Sequence, residues 1–245
     1  MNQLPAYVTP SFIFLILATL VMILWIIQDS LQKQFGQKSK KKLLRIALIL
    51  LFWIDLQGIL SYTGYYQEGT NSFWDPLWIF TSIPLFLIYF LLSPSPAKIL
   101  RHASLEALTY LHSIRIPLTL VFWWLYEAGA LPQTLTYEGF NFDFLAGFSA
   151  PLFAYLYFSQ KRLPKNALII WNFSALALIL VLCYHALFYF PFPSQKLTLL
   201  QPKLALASFP YLLVLTFIIP VLLFSHLLSL KLLLFPPSKS GDSPP

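Results

Sequence analysis

HSIRIPLTLVFWWLYEAGALPQTLTYEGFNFDFLAGFSAP, residues His112 to Pro151, decides how the chain is read. It opens in an apolar run carrying His112 and Arg115, crosses a short acidic connection, and enters a second apolar run. A guanidinium in such a run is costly in lipid. It marks either a polar bundle interior or a side chain that snorkels to the interface. His112 lies three residues before Arg115, so both share one helical face.

The rest of the chain sets the surroundings. It is 58% hydrophobic and 10% charged, with a mean hydropathy of +0.70. A soluble domain is roughly 25% charged. The bilayer is therefore the solvent the composition calls for, and the 13 Tyr and 7 Trp suit its interfaces. The single cysteine, Cys183, excludes an internal disulfide and a thiolate cage.

Apolar runs predict an all-α membrane protein, a bundle of seven transmembrane helices. They cover Pro10 to Ile27, Leu43 to Tyr62, Leu77 to Leu92, Ala107 to Glu127, Phe142 to Phe158, Ala167 to Phe190 and Pro210 to Leu230. Lys and Arg gather in alternate connections: Lys33 to Lys42, Lys98 and Arg101, Lys161 to Lys165, and the C-terminal end. The positive-inside rule then puts the N-terminus outside and the C-terminus in the cytoplasm. Residues 1–230 make one transmembrane domain, and 231–245, rich in Pro and Ser, a short disordered cytoplasmic tail. The formal charge of +7 is mostly this orientation signal, so nucleic acid is not the expected partner. The lipid bilayer is, with Lys38 to Lys42 placed to touch anionic lipid. The location expected is the plasma (inner) membrane, as a multi-pass protein.

Four of these runs contain a proline, Pro84, Pro117, Pro151 or Pro220, each able to kink a helix. Ala146 and Ala150, beside Gly147 and Ser149, have the spacing that lets helices approach closely.

Two groups of polar residues are candidate sites. The first is intramembrane: Asp55, His112 and Arg115. Arg115 lies ~12 Å into its helix and Asp55 ~18 Å into its own, from the rise per residue. Arg115 is expected to point into the bundle, held by Asp55 or by the Ser113 carbonyl that Pro117 frees. The second is an outer cluster: Glu127, Glu138, Asn141, Asp143 and His185. Carboxylates with an imidazole suit metal binding or acid–base chemistry, but HExxH spacing is absent and no metal is expected. Asn172 and His226 read as interhelical hydrogen-bonding groups. No P-loop, GxSxG or GxGxxG occurs, and no cofactor is implied.

LTYLHSIRIP followed by LTYEGFNFDFLAGFSAP, with IIWNFSALAL and FIIPVLLFSHL, resembles an uncharacterised family of bacterial multi-pass membrane proteins. The resemblance covers roughly residues 107–230 and implies a seven-helix inner-membrane protein without implying a reaction. The family pattern has an acidic residue after R-x-P and a basic one within EG-x-NFD, where this chain has Thr119 and Phe140.

Function is expected to be non-enzymatic: a sensor, small-solute carrier or assembly factor. The alternative is an intramembrane enzyme acting on a lipid or small molecule through the outer carboxylate and His cluster.

Overall fold

The computed structural model describes residues 4–66, 100–188 and 205–236. Among the described residues the chain is helical and has no strand. Five helical runs carry it: α1 (Val8–Tyr62), α2 (105–127), α3 (143–159), α4 (Lys165–Phe188) and α5 (Val214–Leu234). Three of them, over Val8–Tyr62, Lys165–Ala186 and Val214–Leu234, are long and apolar enough to cross a membrane. This corrects the seven-helix bundle: among the described residues the count is five helices and three candidate spans, not seven. The orientation inferred from seven crossings falls with it.

The reasons are physical. The lysine-rich stretch between the first two apolar runs is built from good helix formers, Gln, Leu and Lys. It stays helical through Phe35 and resumes at Ser39. Only Gly36–Lys38 departs, as one 3-10 turn, with Gly36 at φ 53°. In α2, the polar residues His112, Ser113, Arg115 and Thr119 dilute the apolar run. α3, at 143–159, is at the short end of what a crossing takes, about 20 residues. The run expected at Leu77 to Leu92 lies outside the described residues, as does the tail beyond 236. α5 continues to Leu234, so residues 231–234 are helix and not tail.

α1 is a helical hairpin. Thr9 Oγ1 lies 2.9 Å from the Tyr211 hydroxyl, and Phe12 packs on the same ring. At the other end of α1, Tyr62 packs edge-on against Phe209. The arms have 28 and 24 residues, roughly 36–42 Å of helix each. Both far ends can reach 209–211 only if the chain reverses at Gly36.

The buried face of the first arm repeats through Phe12, Leu15, Thr19, Leu20, Ile23, Ile26 and Ser30. Its opposite face is also apolar and exposed, with Phe14, Val21 and Trp25. The second arm exposes Leu48, Ile49 and Phe52 in the same way. An apolar band on both sides of a helix is compatible with a membrane protein.

The described prolines in the helices sit beside turns that are not α-helical. A 3-10 turn at His112–Ile114 precedes Pro117, a π turn at Tyr155–Ser159 follows Pro151, and a π turn at Val214–Ile218 precedes Pro220. A proline cannot donate to the carbonyl four residues back. Pro220 thereby leaves the Thr216 carbonyl without its usual donor. The Trp53 indole N–H supplies one at 2.8 Å, tying the second arm of α1 to α5.

Candidate functional site

The site begins with how closely α2 and α3 approach. Ala146, Ala150 and Ala154 are buried at four-residue spacing on α3, and Gly147 lies beside them. A Cβ on Gly147 would stand 3.0 Å from Arg115 Cβ and 3.1 Å from the Ile116 nitrogen. Arg115 and Gly147 are therefore level. α2 continues for twelve residues beyond Arg115, ~18 Å, whereas α3 starts four residues before Gly147, ~6 Å. The connection 128–142 fills the difference by packing down against the helices. Leu131, Leu135, Thr136 and Asn141 are buried in it. Irregular backbone at such depth is tolerated where protein covers it. Here it bonds to itself and to Ala205, whose N–H donates to the Ala130 carbonyl at 2.9 Å.

That descent places Asp143. Asn141 donates through Nδ2 to the Leu135 carbonyl at 2.9 Å, and its Oδ1 accepts the Asp143 N–H at 3.1 Å. Asp143 is the first residue of α3, where the helix dipole favours a carboxylate. Its Oδ1 accepts from Arg115 Nη1 at 2.6 Å. Both side chains are buried, Arg115 at 1% exposure and Asp143 at 3%. Arg115 Nη1 also donates to the Ala175 carbonyl of α4 at 3.1 Å, and Nη2 lies 2.7 Å from His226 Nε2 on α5.

The network has a direction. A guanidinium only donates, so His226 Nε2 is the acceptor and carries no proton. The proton of this neutral ring is then on Nδ1, which lies 2.9 Å from Asn172 Oδ1 and donates to it. Asn172 Nδ2 donates in turn to the Leu168 carbonyl at 2.9 Å. Arg115, His226 and Asn172 thus form one line of donors from α2 through α5 to α4, ending on backbone.

His112 closes the core on one side. Its ring stacks on His226 with centroids 3.8 Å apart and planes 14° from parallel. Trp171 meets both rings, at 5.6 and 5.7 Å. The Trp171 indole donates to Ser149 Oγ at 2.9 Å. Ser225, next to His226, donates to the Leu108 carbonyl at 3.1 Å.

The sequence candidates therefore divide differently. Arg115 and His112 are brought together with Asp143, and Asn141 supports Asp143 from behind. Asp55 is exposed on the second arm of α1, and the acceptors of Arg115 are Asp143, Ala175 and His226 instead. Glu127 and Glu138 are exposed. They stand near Tyr137, whose phenol is raised above its ordinary pKa by local desolvation, then by Glu138 and Glu127. His185 is half-buried against the exposed Phe140 ring, centroids 5.3 Å apart. Thr119 bonds back to the Arg115 carbonyl at 2.7 Å. Among the described residues no group of three or more His, Cys, Asp or Glu is placed to hold a metal ion. Sequence reasoning did not anticipate the Ala175 carbonyl, Trp171 or Ser149. Trp171 and Asn172 were adjacent polar-bearing residues within an apolar run, which is the signal that could have drawn them in.

Residues 73–234 match the model of the DUF8737 family, a domain of unknown function. That match covers more than half of the chain, and the chain belongs to this family. No curated protein and no solved structure matches it.

Proposed function

We propose that this is a non-enzymatic, multi-pass protein of a bacterial inner membrane, and that it reversibly binds a small solute at its polar core as a carrier or sensor. The observation behind the reading is the ion pair of Arg115 and Asp143, buried where α2, α3, α4 and α5 meet. Desolvating two charges costs several kcal/mol each, and apolar residues of similar volume generally serve stability as well. A chain that keeps such a pair among apolar helices has a use for it. The core joins four helices through directional bonds, so a solute competing for one of them would shift the helices against each other. An intramembrane enzyme would draw Glu127, Glu138, Asp143 and His185 into one cluster, and that reading loses support because Asp143 turns inward while the two glutamates are exposed.

Lys38, Lys40 and Lys41 stand exposed at the hairpin turn of α1, while the Lys42 ammonium sits 3.1 Å over the Phe35 ring. They make that turn the contact for anionic lipid headgroups.

The test is thermal unfolding of the purified protein across a panel of small solutes. A binder raises Tm by mass action, and the rise should vanish in Arg115→Lys, which keeps the charge but loses the planar fork. Conversion of a lipid or metabolite by the wild type, dependent on Asp143, would overturn the reading.

A further inference from the structure

Among the described residues, several buried polar atoms of the core have no protein partner. Both ring nitrogens of His112 are buried without a protein partner among the described residues. So is Nε of Arg115, one helical turn away on the same face. Ser229 Oγ, one turn along α5 from His226, is a further buried atom of this kind. Buried polar atoms are hydrogen-bonded as a rule, to protein or to ordered water. Three of these atoms belong to two residues that lie one turn apart on one face of α2 and both meet His226, and that face is the place to be filled.

What they can hold follows from their chemistry. Arg115 Nε–H needs an acceptor. A neutral His112 needs one acceptor and one donor. The charges facing the place are already balanced: Arg115 on α2 against Asp143 on α3, with His226 on α5 engaged at both nitrogens and α4 presenting Trp171 and Cys183. An added ion would leave net charge in an apolar bundle. We propose that His112 and Arg115 Nε hold an internal water molecule, which accepts from Arg115 and donates to the unprotonated nitrogen of His112. Buried waters commonly make about three hydrogen bonds of this sort. Of the two stacked rings, His112 is then the one with a nitrogen lone pair open to water, and the position where the core exchanges protons with it. His226 cannot take that role while Arg115 and Asn172 occupy both its nitrogens. The proposal gives the solute-binding reading a resident occupant and rests on that reading for its significance, though not for its test.

The test is solid-state NMR on the full chain in liposomes, with histidine and arginine labelled with 15N. Polarisation is transferred from water protons and its build-up followed at each ring. The chain has 4 histidines. His112 and His226 are picked out by contact with the Trp171 ring and told apart because only His226 contacts Asn172 and Arg115 Nη2, so assignment does not depend on a variant folding. His112 nitrogens and Arg115 Nε should build up several-fold faster than His226 Nε2. Equal, slow build-up at His112 and His226 would overturn the proposal. In His112→Phe, which keeps a flat ring against His226, build-up at Arg115 Nε should fall. An unchanged rate there would equally count against a shared water. Loss of solute-dependent Tm shifts bears on the proposed function and leaves this result standing.

Discussion

His112 and His226 stack ring on ring at 3.8 Å, yet among the described residues only His226 has hydrogen-bond partners. The two rings thus have different duties. His226 transmits a bond between helices, and its tautomer is set by its neighbours. For His112, no group among the described residues selects one.

This asymmetry predicts the effect of changing Asn172. In the wild type, 15N spectra should show His226 as a single tautomer protonated at Nδ1. Asn172→Leu removes the acceptor for that proton and leaves a buried N–H unmet, which costs about 1–3 kcal/mol. Stability should fall by that amount, and the Nδ1–H signal of His226 should shift while that of His112 stays. A wild-type His226 protonated at Nε2 would contradict the network.

Arg115 and Asp143 form a pair whose members depend on each other. Asp143→Ala leaves a guanidinium buried with only His226 and the Ala175 carbonyl. Arg115→Leu leaves an uncompensated carboxylate. Each single change should cost about 3–5 kcal/mol, the usual penalty for orphaning a buried charge. The double change Arg115→Leu with Asp143→Leu should cost much less than the sum, since neither charge remains. Equilibrium unfolding of the four proteins gives the coupling, and strict additivity would show that the pair is not coupled.

How much of this was legible in the sequence depends on what a pattern can carry. The inward turn of Arg115 followed from the cost of a charge in an apolar helix, and Arg115 is buried. Its partner did not follow. Counting residues gives depth along one helix, not the register between two, and so Asp55 and the Ser113 carbonyl, not Asp143, read as the acceptors of Arg115. Asp143 reads as a companion of Glu138 because the connection between the two apolar runs is short, which makes their ends neighbours. Nothing in residue types shows that 128–142 packs downward, since that is a property of the close approach of α3 to α2 at Gly147. The helix count failed for a related reason. Lysines in a row read as a full loop, but Lys is a good helix former, and the reversal takes only the three-residue turn Gly36–Lys38 before helix resumes at Ser39.

Two glycines carry the descent of the connection and should not accept alanine. Gly139, in the EG-x-NFD stretch, faces the Gln133 carbonyl where a Cβ has no room. Gly147 would bring its Cβ within 3.0 Å of Arg115 Cβ. Alanine is the better helix former by about 1 kcal/mol, yet overpacking a well-filled contact costs typically 1–3 kcal/mol. Both neighbours of Gly147 are held near the backbone and have little freedom to yield. Gly147→Ala should therefore be destabilising in net, and Gly139→Ala more so because backbone must move. Unfolding midpoints at or above wild type would show that the contacts relax.

The last prediction concerns Trp53 and Pro220. The Thr216 carbonyl is available to Trp53 because Pro220 has no N–H to offer it. Trp53→Phe removes the donor and keeps most of the ring. Its cost should be near the ordinary worth of a hydrogen bond, about 1 kcal/mol. Pro220→Ala restores a donor in the helix and removes the cause of the π turn at Val214–Ile218. In that background Thr216 has an intrahelical partner, so Trp53→Phe should cost less than it does in the wild type. The difference between the two costs measures how far the proline, and not the tryptophan, sets the bond. Equal costs would mean that the carbonyl serves both donors and that Pro220 has no part in joining α1 to α5.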